Sequence, residues 1–448
     1  MKLQESKIYR FFAEVKDIVS SREKATALVK IPLYSNAIFL MISGVSSALL
    51  GFVFWMIAAR FYSAAEVGLA GATIAGMGFV TSFSRLGLDI GIVRFLRQKE
   101  EDPVSIINTV FTIGILASLI VSSIFIAGLN AWSPALIFIR QNPFYLVIFI
   151  FFSVISTVSV FSDNSFVALR RTGFTAITSL VYSVLKIPLP IILAVFFKTF
   201  GIFTSWGLAM LMGVVIEIFI FLPKIQPGYR FYFTVKTKAV QNMVSFSFAN
   251  YASNFLWGLP SSLFPIIVVN LLGAESNAYF YIAWALGGVL AMVPAAISTS
   301  LFAEGSYDET QLKDHINRSL KMVFVILIPA VILVFLLADK LLVLFGNQYS
   351  QSATTLVRIL AITTLPLAVN IIYLNIARVQ KDLKIIIGLT AFVAVVTLVL
   401  GYILIPRMGI NGAGIAWLVA HGITALPVIV VLLRQRRKQT TIKANNAS

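Results

Sequence analysis

The chain has 448 residues, of which 59% are apolar and 12% are charged, and it carries a formal net charge of +17. This composition excludes an ordinary soluble globular protein, in which about a quarter of the residues are charged. Because the chain contains no cysteine, disulfides, thiolate zinc sites and iron–sulfur clusters are excluded as well.

Twelve apolar runs follow one another along the chain, and each is long enough to cross a bilayer core. A segment in lipid must satisfy its own backbone polar groups, so each run predicts a helix. We number these runs spans 1 to 12. They cover residues 37–59, 64–93, 104–128, 144–169, 174–197, 201–222, 240–271, 276–302, 319–338, 350–377, 384–405 and 410–433.

The lysines and arginines are distributed unevenly around the predicted spans. Of the 35 basic residues, 27 lie in the two termini or in loops on the same side of the membrane as the termini, five lie on the opposite side and three lie within spans. Short cytoplasmic loops are enriched in Lys and Arg. We therefore expect a multi-pass protein of the cytoplasmic membrane with both termini in the cytoplasm. The same distribution explains the net charge without a nucleic-acid partner.

Short sequence matches recur about 209 residues apart. Phe54 matches Phe264 at an offset of 210, and residues 201–202 match 409–410 at an offset of 208. A slowly drifting offset indicates two related halves. Because each half holds six spans, an even number, the halves are parallel and their symmetry axis runs along the membrane normal. The predicted fold is an all-α polytopic membrane protein with two parallel six-helix lobes around a central cavity.

The repeat and the basic segments together give predicted domain boundaries. In residues 8–19, apolar side chains recur at helical spacing between Lys and Glu, which predicts an amphipathic helix on the membrane surface. The predicted order is a cytoplasmic amphipathic segment at 1–34, an N-lobe at 35–223, a cytoplasmic linker at 224–239, a C-lobe at 240–434 and a basic cytoplasmic tail at 435–448.

Three cations lie inside the predicted spans, where a charged side chain is costly and is a candidate functional residue. Arg85 falls in the inner half of span 2, Lys186 near the middle of span 5 and Arg358 in the outer third of span 10. We hypothesise that they are successive binding positions for an anionic headgroup that crosses the bilayer. Alternatively, Arg358 reaches the outer interface and takes no part.

Three carboxylates also lie inside spans and are candidates for a coupling-ion site: Asp89, Asp163 and Glu217. A carboxyl in low-dielectric surroundings can exchange a proton with a driving gradient. The alternative is structural ion pairing. Asp89 lies at the i, i+4 position from Arg85, and Lys186 could pair with Asp163 or Glu217.

Asparagines mark the second half of the chain. Asn250 and Asn254 share one face of span 7, and amide groups of this kind supply the donors and acceptors that a sugar requires. The alternative is hydrogen bonding between neighbouring helices. Pro260 and Pro265 lie further along the same span, which we expect to bend between transport states.

Three stretches of the sequence resemble a known family. Residues 51–70, GFVFWMIAARFYSAAEVGLA, resemble the opening of the polysaccharide-type flippases, which include the Wzx-type O-antigen flippases. Residues 84–96, SRLGLDIGIVRFL, and residues 408–416, MGINGAGIA, are also of this type. These flippases belong to the multidrug/oligosaccharidyl-lipid/polysaccharide exporter superfamily.

The resemblance implies two six-helix lobes that form a V, and alternating access that moves a lipid-linked oligosaccharide across the membrane. It implies a basic lumen suited to a diphosphate headgroup, and hence a polyprenyl-diphosphate-linked glycan as the substrate. We further expect a coupling proton or sodium ion, a monomer, no cofactor and no bound metal.

Two alternatives stay open. A multidrug or cation antiporter of the same superfamily favours an acidic cavity, and the embedded charges here are balanced at three basic and three acidic residues. A membrane-embedded polysaccharide polymerase or ligase requires a sizeable outer loop with catalytic residues, and the longest predicted outer loop, near 129–143, has only Arg140 as a charge. We therefore expect a transporter and no enzyme.

Overall fold

The computed structural model describes residues 32–97, 102–197, 200–307 and 312–445, and these residues are helical with short connections and no β-strand. The amphipathic helix expected at 8–19 lies outside the described residues. Ten helices are long and apolar enough to cross a membrane, and shorter apolar helices at Ser46–Phe61 and Thr172–Leu185 belong to spans 1 and 5. The predicted all-α fold is confirmed.

The helices follow the predicted spans in order, and two spans are each built from two helices. In chain order from span 1 to span 12, the helices are Pro32–Phe61, Ala64–Ser84 with Leu88–Phe95, Pro103–Ala127, Pro143–Ala168, Thr172–Leu185 with Leu189–Phe197, Gly201–Ile216, Thr237–Leu272, Ala274–Tyr307, Leu312–Val343, Asn347–Val379, Leu383–Met408 and Ile410–Asn445.

The linker between spans 6 and 7 defines one side of the bundle, which we call the linker side. Counting the spans places both ends of the described chain on that side as well. The opposite side, where spans 1 and 2 meet and where spans 7 and 8 meet, is called the far side. Span 6 continues into a π-helical turn at Glu217–Phe221 and a short helix at Leu222–Ile225 before the linker begins.

The hydrophobic core is shared on the far side and divided on the linker side. One far-side cluster combines Phe54 and Phe149 of the first half with Phe264 and Phe280 of the second half. On the linker side, one cluster belongs to spans 2, 3, 4 and 6, with the linker and the start of span 7, and another belongs to spans 8, 9, 10 and 12. The two lobes therefore converge on the far side and separate toward the linker side.

Two reciprocal hydrogen-bonded contacts join the lobes on the far side. Arg60, at the end of span 1, donates to the carbonyl oxygen of Leu344 beyond span 9 at 3.1 Å. Asn270, near the end of span 7, donates to the carbonyl of Trp132 and accepts from the Ala135 amide beyond span 3. Spans 1 and 7 are equivalent in the repeat, as are spans 3 and 9. The two contacts thus obey the internal symmetry.

Spans 2 and 8, also equivalent in the repeat, cross on the far side. The Asn277 side chain donates to the carbonyl of Gly68 at 2.7 Å, across a sequence separation of 209 residues. A Cβ atom on Gly68 would lie 1.7 Å from the carbonyl oxygen of Ala274, so only glycine permits this approach. The symmetry axis of the repeat passes close to this crossing.

The first lobe contains the helix interruptions. Span 2, predicted as one helix over 64–93, breaks after Ser84 because Leu86 and Gly87 adopt left-handed backbone conformations, with φ angles of 52° and 78°. Span 5, predicted as one helix over 174–197, breaks at Lys186 ahead of Pro188, whose ring supplies no backbone donor. Each break coincides with one of the embedded cations.

Candidate functional site

Lys186 occupies an aromatic cage in the first lobe. Its Nζ atom lies 4.6 Å from the ring centre of Tyr182, 4.7 Å from that of Trp206 and 5.6 Å from that of Phe54. The residue is only 3% exposed. Lys186 also caps the C-terminus of the helix Thr172–Leu185, where the negative end of the helix dipole stabilises a cation.

The cage adjoins the second lobe. The Trp55 ring lies 6.3 Å from Trp206 of the cage and 4.8 Å from Tyr281 of span 8. Tyr281 in turn packs so closely on span 2 that a Cβ atom on Gly71 would lie 2.8 Å from its ring. The ammonium group of Lys186 therefore lies near the level at which the two lobes converge.

Among the residues that the structure describes, no carboxylate forms an ion pair with Lys186. The ion pair observed within the described spans joins Arg85 to Asp89. The alternative in which Lys186 pairs with Asp163 or Glu217 is therefore not supported. Aromatic faces stabilise an ammonium group without removing its net charge. Within the described residues, the positive charge of Lys186 is therefore held without a counter-charge.

Arg85 and Asp89 form the ion pair that their spacing suggested, with Nη1 and Oδ2 3.2 Å apart. The pair bridges the break in span 2. Arg85 is at the C-cap of the first helix, and Asp89 lies in the first turn of the second. The seam with span 7 is adjacent, where the Tyr251 hydroxyl donates to the carbonyl of Ser82 at 3.0 Å. The guanidinium remains partly exposed beside the inter-lobe seam.

Two carboxyl groups lie near each other between spans 4, 5 and 6: Glu217, which is buried, and Asp163, which is half-buried. Glu217 is 3% exposed, and one oxygen of each carboxyl has no hydrogen-bond partner. Glu217 opens the π-helical turn of span 6, a local distortion that is frequent at functional sites. The hydroxyls of Ser162 and Thr175 are also buried without partners. Such oxygen-rich surroundings can hold a proton or a small cation.

Asn254 has a partner that was not anticipated. Its side-chain oxygen accepts a hydrogen bond from Nη2 of Arg378 at 3.1 Å, and Arg378 also approaches Asn375 at 3.5 Å. The sequence placed Arg378 in a cytoplasmic loop. The structure places it in the last turn of span 10, half-buried beside span 7. In the sequence, the i, i+3 spacing of Asn375 and Arg378 was the indication that these two side chains lie on one face of a helix. Asn250 is half-buried one turn before Asn254.

Arg358 does not lie in line with Arg85 and Lys186. Its Nε donates to the carbonyl of Phe335 in span 9 at 3.1 Å, and its guanidinium lies over the Phe335 ring. The opposite face of span 10, through Leu360, packs against Gly287 of span 8, the span that faces the first lobe. The expectation that Arg358 lies on a path with Arg85 and Lys186 is therefore corrected, because its side chain is directed toward span 9.

A neutral polar network occupies the second lobe. The Asn370 amide lies 3.0 Å from Nδ1 of His421 and 2.7 Å from the hydroxyl of Thr424, linking spans 10 and 12. Trp417 and Trp257 pack edge-on against the imidazole at 4.2 and 5.4 Å. His421 and Asn370 are fully buried. The network connects three spans of one lobe and carries no ion pair.

Three cations therefore lie at increasing depth from the linker side. Arg378 is in the last turn of span 10, at its linker-side end. At 1.5 Å per residue, Arg85 lies about 15 Å along span 2 from Phe95, the linker-side end of that span. Lys186 lies about 21 Å along span 5 from Thr172, the linker-side end of that span. Within the described residues, no group of three or more His, Asp or Glu side chains is arranged to hold a metal ion.

Solved structures share this architecture. The chain superimposes on the lipid II flippase MurJ in an inward closed conformation with a TM-score of 0.68 and 17% identity, over 88% of this chain and 87% of that one. It superimposes on an inward-facing MATE-family multidrug resistance transporter of the MOP superfamily with a TM-score of 0.64 and 15% identity, over 89% and 96% of the two chains. The fold is thus that of the two-lobed MOP-superfamily transporters.

Sequence comparison places the chain more narrowly. The model of the polysaccharide biosynthesis protein family matches residues 57–354, which is more than half of the chain, and the protein belongs to that family. A Shigella flexneri protein provisionally named an O-antigen transporter is 27% identical over 154 residues. That alignment covers 34% of this chain and 37% of the relative, and so spans little more than a third of either protein.

Proposed function

We propose that this protein is a flippase that moves a lipid-linked oligosaccharide, of the polysaccharide or O-antigen-precursor type, across the cytoplasmic membrane by alternating access. The observation that carries the proposal is Lys186, a buried cation with no carboxylate partner in the described chain, held by aromatic rings where the lobes converge. The family membership and the name of the Shigella relative support the same function. Transport, not catalysis, is the activity.

The substrate on this proposal is a polyprenyl-diphosphate-linked glycan. Arg378 receives the diphosphate at the linker side, Arg85 lies beside the middle of the cleft, and Lys186 binds the anion at the closed far end. Asn250 and Asn254 offer amide groups to the glycan from the opposite wall. Charge-assisted contacts to phosphate are about twice as strong as neutral hydrogen bonds, so the cations hold the headgroup and the amides guide the sugars.

Asp163 and Glu217 are the coupling site on this proposal. They are buried together, and the described residues provide them with no ion-pair partner. Two carboxylates in low dielectric do not both ionise without a bound cation. They therefore exchange a proton or a sodium ion as the lobes move. Asp89 is paired with Arg85 and is the weaker candidate.

The linker side faces the cytoplasm on this proposal, and the protein acts as a monomer. The excess of Lys and Arg in the termini and in the loops of that side supports this orientation. The shared core on the far side and the divided cores on the linker side then describe a state that is open to the cytoplasm.

A transport assay on a matched pair of variants tests the function. The protein is reconstituted into vesicles with a fluorescent polyprenyl-diphosphate oligosaccharide, and the fraction that reaches the opposite leaflet is measured over time. Lys186→Met removes the charge and keeps the side-chain volume. Because hydrogen bonds to charged groups contribute about 1.5–3 kcal/mol, we expect the rate to fall by about 10- to 100-fold.

The control is Lys340→Met, which removes an exposed lysine at the far end of span 9 and should leave the rate unchanged. A wild-type rate in Lys186→Met would contradict the proposed role of the cage. The antiporter alternative predicts that the wild-type protein expels cationic drugs and does not move the glycolipid. The unneutralised charge of Lys186 opposes that alternative, because it repels a cation.

A further inference from the structure

The linker between the lobes, residues 226–236, runs as an extended chain against span 3. It leaves the short helix Leu222–Ile225, turns at Gly228, where φ is +80°, and stays non-helical until span 7 begins at Thr237. The sequence predicted a cytoplasmic linker at 224–239. The contacts of its backbone indicate a more specific position.

Polar side chains of span 3 bind the linker backbone at three points. The Asn108 amide donates to the carbonyl of Arg230 at 2.8 Å. The backbone N–H groups of Thr234 and Lys236 donate to the hydroxyls of Thr112 and Thr109, at 3.1 and 3.2 Å. A non-helical chain at membrane depth requires protein partners of this kind, because lipid offers none.

The partners on span 3 give the depth of the linker. Measured from Pro103 at 1.5 Å per residue, Asn108 and Thr109 lie about 8–9 Å along the helix and Thr112 lies about 14 Å along it. The linker therefore enters beside Asn108, reaches its deepest point beside Thr112 and returns beside Thr109. It forms a shallow loop whose tip is at residues 233–234.

Some side chains of this loop pack against the first lobe, and others face away from it. Tyr229 is buried, and Phe231 packs against the linker-side core of the first lobe. Tyr232, Phe233 and Val235 point outward, and Phe233 is 69% exposed at the tip. The exposure of these apolar side chains carries no hydrophobic cost where acyl chains replace water around them.

Basic residues flank the tip on both arms. Arg230 and Lys236 are exposed next to the hydrogen bonds that fix the loop, with Lys224 and Lys238 beyond them. No acidic residue occurs in 224–238. Aromatic side chains at headgroup level with adjacent cations fit an anionic lipid headgroup above its acyl chains.

We propose that the inter-lobe linker is a membrane-inserted loop that binds an anionic phospholipid of the cytoplasmic leaflet. Phe233 inserts between the acyl chains, and Arg230 and Lys236 bind the headgroup phosphate. Exposed aromatic side chains flanked by basic residues match a lipid interface better than a protein or nucleic-acid partner. The proposal uses the orientation given above and does not depend on the transported substrate.

The first test measures the depth of the tip. Since the chain has no cysteine, Phe233→Cys supplies a single thiol for a fluorescent label in the full-length protein. The labelled protein is placed in vesicles whose lipids carry bromine at known depths. We expect maximal quenching at a depth between that of Lys224→Cys, on the shallow arm, and that of Leu116→Cys, an exposed deeper position on span 3. Quenching of the Phe233→Cys label by aqueous iodide and not by brominated lipid would overturn the proposal.

The second test measures lipid affinity. Native mass spectrometry of the full-length protein with phosphatidylglycerol compares the wild type with the double variant Arg230→Gln, Lys236→Gln. About 30-fold weaker binding is expected from two basic residues near an anionic surface. The control replaces Lys340 and Arg407, two exposed basic residues of the far side, with Gln. An unchanged affinity in the linker variant, or an equal loss in the control, contradicts the proposal.

Both tests are done without the glycolipid. Their failure would leave the proposed transport function standing, and a failure of the transport assay would not change the expected depth or lipid affinity of the linker.

Discussion

The two lobes descend from one repeat, yet they treat charge in opposite ways. The first lobe places Arg85, Lys186 and Glu217 at a helix break, a second helix break and a π-helical turn. The second lobe keeps its long helices unbroken and builds a neutral network around Asn370 and His421. On the proposed function, the first lobe supplies Arg85, Lys186 and the two carboxyl groups, and the second lobe supplies Arg378 and uncharged polar groups.

The helix breaks explain how the first lobe tolerates its cations. Arg85 and Lys186 are both C-cap residues, so each lies next to backbone carbonyls that have no partner within the helix. The negative end of a helix dipole stabilises a nearby cation without adding a counter-charge. The charge of Lys186 thus remains available to a ligand, whereas Arg85 is also paired with the carboxylate of Asp89.

Span 7 packs both into the linker-side core of the first lobe and into the shared far-side core. Its beginning, at Met243, packs into the linker-side core of the first lobe, and its later part, at Phe264, belongs to the far-side core. Pro260 and Pro265 lie within its single helix, between the cleft and the far side. We expect these prolines to be the position at which the helix bends when the lobes exchange openings.

The largest expected effect comes from breaking the far-side contact that both lobes share. In Gly68→Ala, the new Cβ lies 1.7 Å from the Ala274 carbonyl oxygen, so spans 2 and 8 can no longer close. Overpacking of this kind costs about 1–3 kcal/mol, a shift of about 5- to 150-fold away from the state that is closed on the far side. Thiol labelling of a single Met292→Cys, an exposed position on span 8 beside Gly44 of span 1, should slow accordingly. Gly78→Ala, on the same helix with open space around it, is the control and should label at the wild-type rate.

The proposed coupling site of the first lobe should give the next largest effect. In Glu217→Gln, transport should lose its response to an imposed gradient, while glycolipid binding persists. At 100 mV, one coupled charge contributes about 2.3 kcal/mol, or about a 50-fold accumulation. The measurement is glycolipid accumulation in vesicles with and without a gradient, and Glu66→Gln, in the exposed cap of span 2, is the control. Retained gradient dependence in Glu217→Gln would remove Glu217 from the coupling site.

Disruption of the Asn370–His421 network in the second lobe should lower stability and leave charge selectivity unchanged. Asn370→Ala leaves the buried side chain of His421 without its hydrogen-bond partner, and the free energy of unfolding should fall by about 2 kcal/mol. Thermal unfolding in detergent measures the change. Thr363→Ala on the same span removes a hydroxyl that is satisfied within its own helix and should cost less. If Asn370→Ala instead abolished the gradient response at wild-type stability, the division of work between the lobes would be wrong.

The smallest effect should come from the ion pair across the break in span 2. A double-mutant cycle with Arg85→Gln and Asp89→Asn should give a coupling free energy of about 1 kcal/mol, because the arginine side chain is 24% exposed and partly screened. Arg85→Gln should also slow transport less than Lys186→Met, since Arg85 already has a partner. Equal transport losses in the two variants would indicate that the pair opens during each cycle.

The membrane spans could be predicted closely because their cause is local. A run of apolar residues long enough for the bilayer forms a helix wherever it occurs, so all twelve spans were found. The Arg85–Asp89 pair was also foreseeable, because its spacing on one helix is fixed. The breaks at Leu86 and Lys186 were missed. Pro188 marks the second break in the sequence, whereas the left-handed φ of Leu86 at the first break has no strong sequence marker.

The direction of each embedded side chain could not be predicted in the same way. Arg358 and Arg378 are both arginines of span 10, and the sequence favoured the first as a cleft residue. The structure turns Arg358 toward Phe335 and Arg378 toward Asn254. In lipid, the outward and inward faces of a helix are both apolar, so the sequence pattern does not show which face packs against a neighbour.

The sequence by itself determined the succession of apolar spans, their parallel repeat and the side on which the basic loops gather, because bilayer thickness and charge distribution act on each segment separately. Only the tertiary structure decided which cations meet aromatic rings, which carboxylates are left together and how far the linker descends along span 3. Those outcomes depend on contacts between helices that lie far apart in the chain, and apolar helices of similar composition leave such contacts unspecified until they pack.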